Sequence, residues 1–201
     1  MDAAACTPTL RYARDMEEPV DPAAPQDPIA DTRRWLERAV IGLNLCPFAK
    51  AVHAKGQVRF VHSDASTAEA LLAQLGEELL LLRDSDPEQV DTTLLVHPQV
   101  LGDFLDYNDF LDQADALVTS LGLEGVLQVA SFHPHYQFAG TYPDDVENRT
   151  NRSPHPTLHL LREDSVARAV AAFPDPDAIV SRNIATLEQL GDAGWHRLRE
   201  P

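Results

Sequence analysis

The sequence predicts one α/β domain: a mixed sheet of about four strands, three of them parallel, layered with helices and followed by two C-terminal helices. Short β-branched and aromatic runs alternate with long amphipathic stretches, the pattern of parallel strands joined by right-handed helical crossovers. The chain has 201 residues, of which 44% are hydrophobic, and this supports one substantial core rather than two.

Residues 1–30 differ from the rest in composition. They contain five prolines and little apolar periodicity, so we expect a disordered leader. We assign residues 31–191 to the α/β domain and residues 192–201 to a short C-terminal tail. No stretch resembles a signal peptide or a membrane span, which leads us to expect a cytoplasmic protein.

The domain begins with a predicted helix over residues 31–45, which Asp31 or Thr32 could cap and which ends before Pro47. Its apolar residues recur at helical spacing: Trp35, Leu36, Ala39, Val40 and Leu43. A second short helix is predicted to start at Pro47 and to close at Gly56.

Three strand predictions follow, at "QVRFVHS" (57–63), "DTTLLVHP" (91–98) and "GVLQVASFHPH" (125–135). Between them lie two predicted helices, one with Ser66 and Glu69 at capping-box spacing and one capped by Asp103 and stopped at Gly122. A long polar segment, 134–156, precedes a fourth strand, "TLHLLRE", and then the two final helices.

The charge of the chain excludes some classes of partner. Lys and Arg number 16 against 32 Asp and Glu, a net charge of −16, so nucleic acids and anionic membrane surfaces are repelled. The two cysteines give no disulfide framework, since Cys6 lies in the predicted leader, and Cys46 is expected to be a free thiol. We therefore expect a small molecule as the partner.

Histidines end each of the three predicted parallel strands: His62, His97, and the pair His133 and His135. Parallel strands place their C-terminal ends at one sheet edge, where open α/β folds bind ligands. His133 and His135 could be catalytic acid/base groups with His97, or metal ligands completed by His155, which would suit a divalent transition metal and hydrolysis. The alternative for each histidine is a purely structural role.

The polar segment contains "NRTNRSPHP", in which Arg149, Asn151, Arg152 and Ser153 form a cluster of hydrogen-bond donors. This cluster could hold the carboxylate or phosphate of a small anionic substrate. The alternative is a solvated loop whose arginines pair with neighbouring carboxylates.

Two other functions remain open. Cys46 precedes a predicted helix, where N–H groups favour a thiolate, so a thiol-dependent enzyme is one alternative and a buried inert cysteine the other. A non-catalytic module that binds an anionic metabolite is a further alternative.

Several stretches together resemble an uncharacterised bacterial family, the domain of unknown function 1415 family: "WLERAVIGLNLCPFA", "TTLLVHP", "FLDYNDFLDQAD", "VASFHPHYQFAGT" and "NRTNRSPHPTLHLLRE". The resemblance covers roughly residues 31–191. It implies a small stand-alone bacterial protein and carries no established activity, substrate or cofactor.

Overall fold

The computed structural model describes residues 27–172, 175 and 178–199. The strands are β1 (Val58–His62), β2 (Thr92–Val96), β3 (Leu127–Phe132) and β4 (Thr157–Arg162). The helices are α1 (Pro28–Trp35), α2 (Ala49–Ala54), α3 (Ala68–Asp84), α4 (Phe104–Ser120), α5 (Glu163–Ala171) and α6 (Ala178–Arg199). A π-helix, Leu36–Ile41, continues α1, and a 3₁₀ helix, Val146–Asn151, lies between β3 and β4. The prediction of a mixed α/β domain with four strands is confirmed.

The strand order of the sheet differs from the prediction. The order is β1-β2-β4-β3, in which β1 and β2 are parallel and β4 is antiparallel to both of its neighbours. The prediction of three parallel strands is therefore wrong, because the crossover through α4 skips one strand position and β4 fills it. Because β4 is antiparallel to both β2 and β3, β3 nevertheless runs in the same direction as β1 and β2. The C-terminal ends of these three strands therefore lie at one edge of the sheet.

Alternating side chains of the sheet contribute to two cores, one on each face. Leu95 of β2 packs in the first core, against α3 and α4, whereas Leu94 packs in the second, against α1, the π-helix and α6. The second core is smaller and contains two tryptophans, Trp35 and Trp195. The sheet is therefore covered on both faces, as expected for a layered α/β domain.

Side chains cap the helices close to the predicted positions. Asp103 caps α4 as predicted, since its carboxylate accepts hydrogen bonds from the backbone at the start of that helix. Thr67 caps α3 in place of Ser66, and Asp27 caps α1 in place of Asp31. These corrections move each helix start without changing which elements form.

The described helices extend past both predicted domain boundaries. Helix α1 starts at Pro28, inside the predicted leader, and the remainder of that leader, residues 1–26, lies outside the described residues. Helix α6 continues through a kink at Gly191 to Arg199, so the predicted tail is helical as far as it is described. No helix in the described ranges is long and apolar enough to cross a membrane.

Candidate functional site

Two buried histidines lie at the edge of the sheet where β1, β2 and β3 end. His97 directly follows β2, His133 directly follows β3, and both side chains are fully enclosed. Their backbone N–H groups donate to carbonyls of the long polar segment, from His97 to Pro156 at 3.0 Å and from His133 to Asn151 at 3.1 Å. The sheet edge and the polar segment are thus joined at both histidines.

The two imidazole rings also fasten the loop between β2 and α4. His97 Nδ1 lies 3.1 Å from the carbonyl oxygen of Val100, and His133 Nε2 lies 3.2 Å from that of Leu101. Leu101 has a φ of 58°, a left-handed conformation that is costly for a leucine and that these contacts help to hold. The backbone N–H of His135 donates to His133 Nδ1 at 3.0 Å. Both ring nitrogens of His133 are therefore bonded to backbone groups, which leaves it neutral with its proton on Nε2.

Tyr107 of α4 joins the two histidines into one aromatic group, here called the strand-end cluster (His97, Tyr107 and His133). Its ring stacks on His97 with centroids 5.7 Å apart and lies 5.0 Å from His133. Its hydroxyl donates to the carbonyl of Thr157 at 2.9 Å and accepts from the N–H of Phe132 at 3.2 Å. Tyr107 thus links the end of β3 to the start of β4.

Burial sets the protonation states in the strand-end cluster. Desolvation lowers the pKa of His97 to about 4, and it also lowers the pKa of His133, with a further contribution from nearby His135. Burial raises the pKa of Tyr107. His97 Nε2 is buried without a hydrogen-bond partner among the described residues. All three rings are therefore uncharged at neutral pH.

The predicted metal ligands are not gathered at one point. His135 is exposed, with its ring centroid 5.9 Å from that of His133, whose two nitrogens are already bonded to the backbone. His155 bonds Asp31 of α1, with Nε2 3.2 Å from the carboxylate. The described part of the chain contains no group of three or more His, Cys, Asp or Glu side chains that could hold a metal ion. The metal hypothesis gains no support from this arrangement.

The predicted anion-binding residues bond other parts of the protein. Arg149 pairs with Asp192 of α6, and Arg152 donates to the carbonyls of Tyr136 at 3.1 Å and Pro143 at 2.5 Å. The other two predicted residues also bond backbone carbonyls. Asn151 donates to the carbonyl of Ser131 at 3.1 Å, and the buried Ser153 donates to the carbonyl of His155 at 2.6 Å. These four side chains hold the polar segment in place.

A large cavity opens over the sheet face that carries the second core. This sheet-face cavity has a volume of about 790 Å³. Its floor consists of residues that neighbour one another across all four strands: Val58, Thr92, Leu94, His159, Leu161, Gln128, Ala130 and Phe132. Its walls come from the π-helix, α2 and α5. None of the strand-end cluster residues lines it.

His159 is the histidine of the cavity floor, and one of its two ring nitrogens has no hydrogen-bond partner among the described residues. Thr92 Oγ1 donates its proton to the carbonyl of Leu160 at 2.6 Å, so it can only accept from His159 Nε2, 2.7 Å away. Desolvation lowers the pKa of His159 to about 4, so the ring is neutral and its proton is on Nε2. Nδ1 is then a hydrogen-bond acceptor, on a partly exposed ring that lines the cavity.

A second cavity, of about 450 Å³, adjoins the first and shares three lining residues with it, Val40, Cys46 and Phe132. Its other walls come from the polar segment and α6. Cys46 is a partly exposed free thiol at this junction. Helix α2 starts at Ala49 rather than Pro47 and is only six residues long, so the predicted helix N-terminus at Cys46 is not formed. The thiol-enzyme alternative therefore lacks that support.

A family model described as "Protein of unknown function (DUF1415)" matches residues 27–197, which include all four strands and every described helix except the last two residues of α6. The chain belongs to this family. No curated protein and no solved structure matches the chain. The resemblance inferred from the sequence is therefore confirmed at the level of the family.

The residues of the cavity floor were not among the predicted site residues. His159 stands in the middle of a strand, between Leu158 and Leu160, and such a position is typical of a structural histidine. A signal was nevertheless present, because alternation along "TLHLLR" places His159 on one sheet face with Thr157 and Leu161. What the sequence could not reveal is that the helices leave this face partly uncovered.

Proposed function

We propose that this protein binds a small, mainly apolar molecule in the sheet-face cavity, with His159 accepting a hydrogen bond from a hydroxyl or N–H group of that molecule. The observation that carries the proposal is an apolar cavity of about 790 Å³ with an unpartnered imidazole nitrogen at its floor. Ligand sites typically have volumes of about 300–1,000 Å³ and a few placed polar groups within an apolar lining.

The strand-end cluster is a weaker candidate for a ligand site. His97 and His133 are fully enclosed, and His133 has both nitrogens bonded to the backbone. The anionic substrate expected from the sequence required Arg149 and Arg152, which bond Asp192 and two backbone carbonyls instead. We therefore favour binding at the cavity over hydrolysis at the strand ends.

The polar groups of the cavity floor favour a neutral donor. A neutral imidazole with its proton on Nε2 offers a lone pair at Nδ1, and a hydroxyl or amide N–H of the ligand satisfies it. The apolar floor residues, such as Leu94 and Leu161, contact the rest of the ligand. Burying each CH₂ group of the ligand contributes roughly 0.8 kcal/mol.

The first test is titration of the full-length chain with the neutral dye Nile red, followed by fluorescence. Ala169→Trp on α5 places an indole in the cavity, and Ala116→Trp adds the same side chain at an exposed position of α4. We expect Ala169→Trp to weaken dye binding by about tenfold or more, since each lost 1.4 kcal/mol is tenfold in affinity. Ala116→Trp should bind like the wild type. Equal binding by all three proteins would exclude this cavity as the site.

A second test needs no substitution in the cavity. In a Cys6→Ser background the remaining cysteine is Cys46, which lines the cavity, and its alkylation by iodoacetamide can be followed by mass spectrometry. We expect saturating octan-1-ol to slow this alkylation, because the alcohol occupies the space through which the reagent reaches the thiol. An unchanged rate would argue against occupancy of the cavity.

A further inference from the structure

The second cavity has a polar lining that differs from that of the first. Glu147 is the only charged residue among those that line it, and the described residues provide no hydrogen bond or ion pair to its carboxylate. Arg149, two positions along the chain, is paired with Asp192 instead. A negative group with no partner in the described part of the chain thus lies beside a space large enough for part of a ligand.

The two threonine hydroxyls of this cavity donate to the protein, and the amides of Asn151 and Asn183 each use one of their two N–H donors there. The hydroxyl of Thr150 donates to the carbonyl of Glu147 at 2.8 Å, and that of Thr141 donates to the carbonyl of Phe138 at 2.8 Å. Asn183 donates through Nδ2 to the carbonyl of Leu45 at 2.8 Å, which leaves its Oδ1 as an acceptor. The lining therefore offers more acceptors than donors to a ligand, and a ligand rich in donors fits it.

Two aromatic rings complete the lining. Phe132 and Phe138 both border the second cavity, and aromatic faces attract cations. A carboxylate, hydroxyl and amide acceptors, and aromatic rings together form a suitable environment for an ammonium group, which carries three donors and a positive charge. The net charge of −16 also favours a cation over an anion.

We propose that the ligand carries an ammonium group, which binds in the second cavity beside Glu147 while the apolar part lies over the sheet face. This inference rests on the proposed function, because the two cavities adjoin at Val40, Cys46 and Phe132 and one molecule extends past these residues into both. The ligand class is then a cationic amphiphile, opposite in charge to the substrate expected from the sequence.

The test compares three probes of equal chain length at pH 7, octylammonium, octan-1-ol and octanoate, by calorimetric titration of the full-length chain. Octylammonium should bind about tenfold more tightly than octan-1-ol, because it exchanges the neutral hydrogen bond to His159 for a charge-assisted one to Glu147. Octanoate, which has no donor, should bind more weakly than either. Glu147→Gln should abolish the preference for octylammonium and leave the affinity for octan-1-ol unchanged. Glu77→Gln, at an exposed position of α3, removes the same charge far from the lining and should keep the preference.

The outcomes separate the two proposals. If octan-1-ol does not bind, the proposed function fails and this inference fails with it. If octan-1-ol binds but octylammonium gains nothing, or if Glu147→Gln retains the full preference, only the ammonium inference is overturned. An equal loss in Glu147→Gln and Glu77→Gln would assign the preference to the overall charge of the protein and would likewise overturn the inference.

Discussion

The strand-end cluster and the sheet-face cavity both contain neutral histidines with lowered pKa values, yet they use them differently. In the cluster, the rings of His97 and His133 bond the carbonyls of Val100 and Leu101 and so fix a connecting loop. In the cavity, Thr92 is the one hydrogen-bond partner of the His159 ring within the described ranges, and the ring keeps an acceptor nitrogen at a partly exposed surface. A lowered histidine pKa therefore does not by itself mark a ligand site. The free nitrogen beside a cavity is the distinguishing feature.

His97 shows why a ring nitrogen without a partner indicates a ligand site only where it also lies beside a cavity. Its Nε2 also has no hydrogen-bond partner among the described residues, but the ring is fully enclosed and lines neither of the two cavities. An unsatisfied buried polar atom costs roughly 1–3 kcal/mol of stability. The loop contact through Nδ1 and the stacking on Tyr107 offset that cost. We interpret His97 as structural for this reason.

The largest expected effect is a loss of stability in acid that both regions share. His97 and His159 have folded-state pKa values of about 4 against an ordinary value of 6.5, so the unfolded chain takes up protons first as the pH falls. The contribution of these two histidines to the free energy of unfolding is complete above pH 6.5 and decreases as the pH falls towards 4. The loss is about 3 kcal/mol for each histidine, because a shift of one pKa unit corresponds to about 1.4 kcal/mol. Urea unfolding between pH 7 and 4 measures this loss.

Two variants measure how much of this acid-induced loss comes from the strand-end cluster and how much from the sheet-face cavity. His97→Phe and His159→Leu should each remove about 3 kcal/mol of this loss, while the contributions of His133 and of the carboxylates remain the same in all three proteins. If neither variant changes the slope of stability against pH, the two histidines do not have the lowered pKa values described here.

The next effect tests whether His133 and His135 act as a pair. His133→Ala leaves the Leu101 carbonyl and the His135 N–H without their partners and removes a buried ring, so we expect a loss of about 3 kcal/mol in the free energy of unfolding. The exposed His135→Ala should change it by less than about 0.5 kcal/mol. Chemical denaturation at pH 7 distinguishes these values, and equal losses would contradict the structural role of His133.

Tyr107→Phe gives a smaller effect in the same cluster. It removes only the hydroxyl that bridges Phe132 and Thr157, which leaves one N–H and one carbonyl of the sheet edge unsatisfied. We expect a loss of about 2 kcal/mol. Tyr142→Phe, at a residue that is 78% exposed, is the matched control and should have almost no effect. A Tyr107→Phe protein as stable as the wild type would show that the hydroxyl bridge is not needed.

The elements of the fold were predictable from the sequence, but their order in the sheet was not. Helix caps, apolar periodicity and turn residues act locally, so Asp103 and Gly122 correctly bounded α4. Strand order depends on long-range pairing. The crossover through α4 leaves a gap between β2 and β3, and nothing local in "TLHLLRE" indicates that β4 enters that gap.

The sequence predicted where the strand-end histidines stand in the sheet, but not what they contact. Strand direction places His97 and His133 at one edge, and both contact Tyr107 there. The sequence could not show that Arg149 pairs with Asp192 of α6, because that contact depends on how the polar segment folds against a helix far along the chain. Nor could it show a cavity, which depends on the space left between α2, α5 and the sheet.

The smallest expected effect on stability, and the most informative about binding, comes from His159→Leu. Thr92 still donates to the Leu160 carbonyl after this change, so we expect the free energy of unfolding at pH 7 to change by less than about 1 kcal/mol. The affinity for octan-1-ol should fall about fivefold to tenfold, because one hydrogen bond is lost, whereas the affinity for octane should be unchanged.

The matched control is His62→Leu, the same substitution at an exposed histidine at the end of β1, which should alter neither affinity. Equal losses for octan-1-ol and octane in His159→Leu would mean that the ring acts only through its shape. A loss confined to the alcohol would identify the free nitrogen as the group that recognises the ligand, and that is the property separating His159 from the histidines at the strand ends.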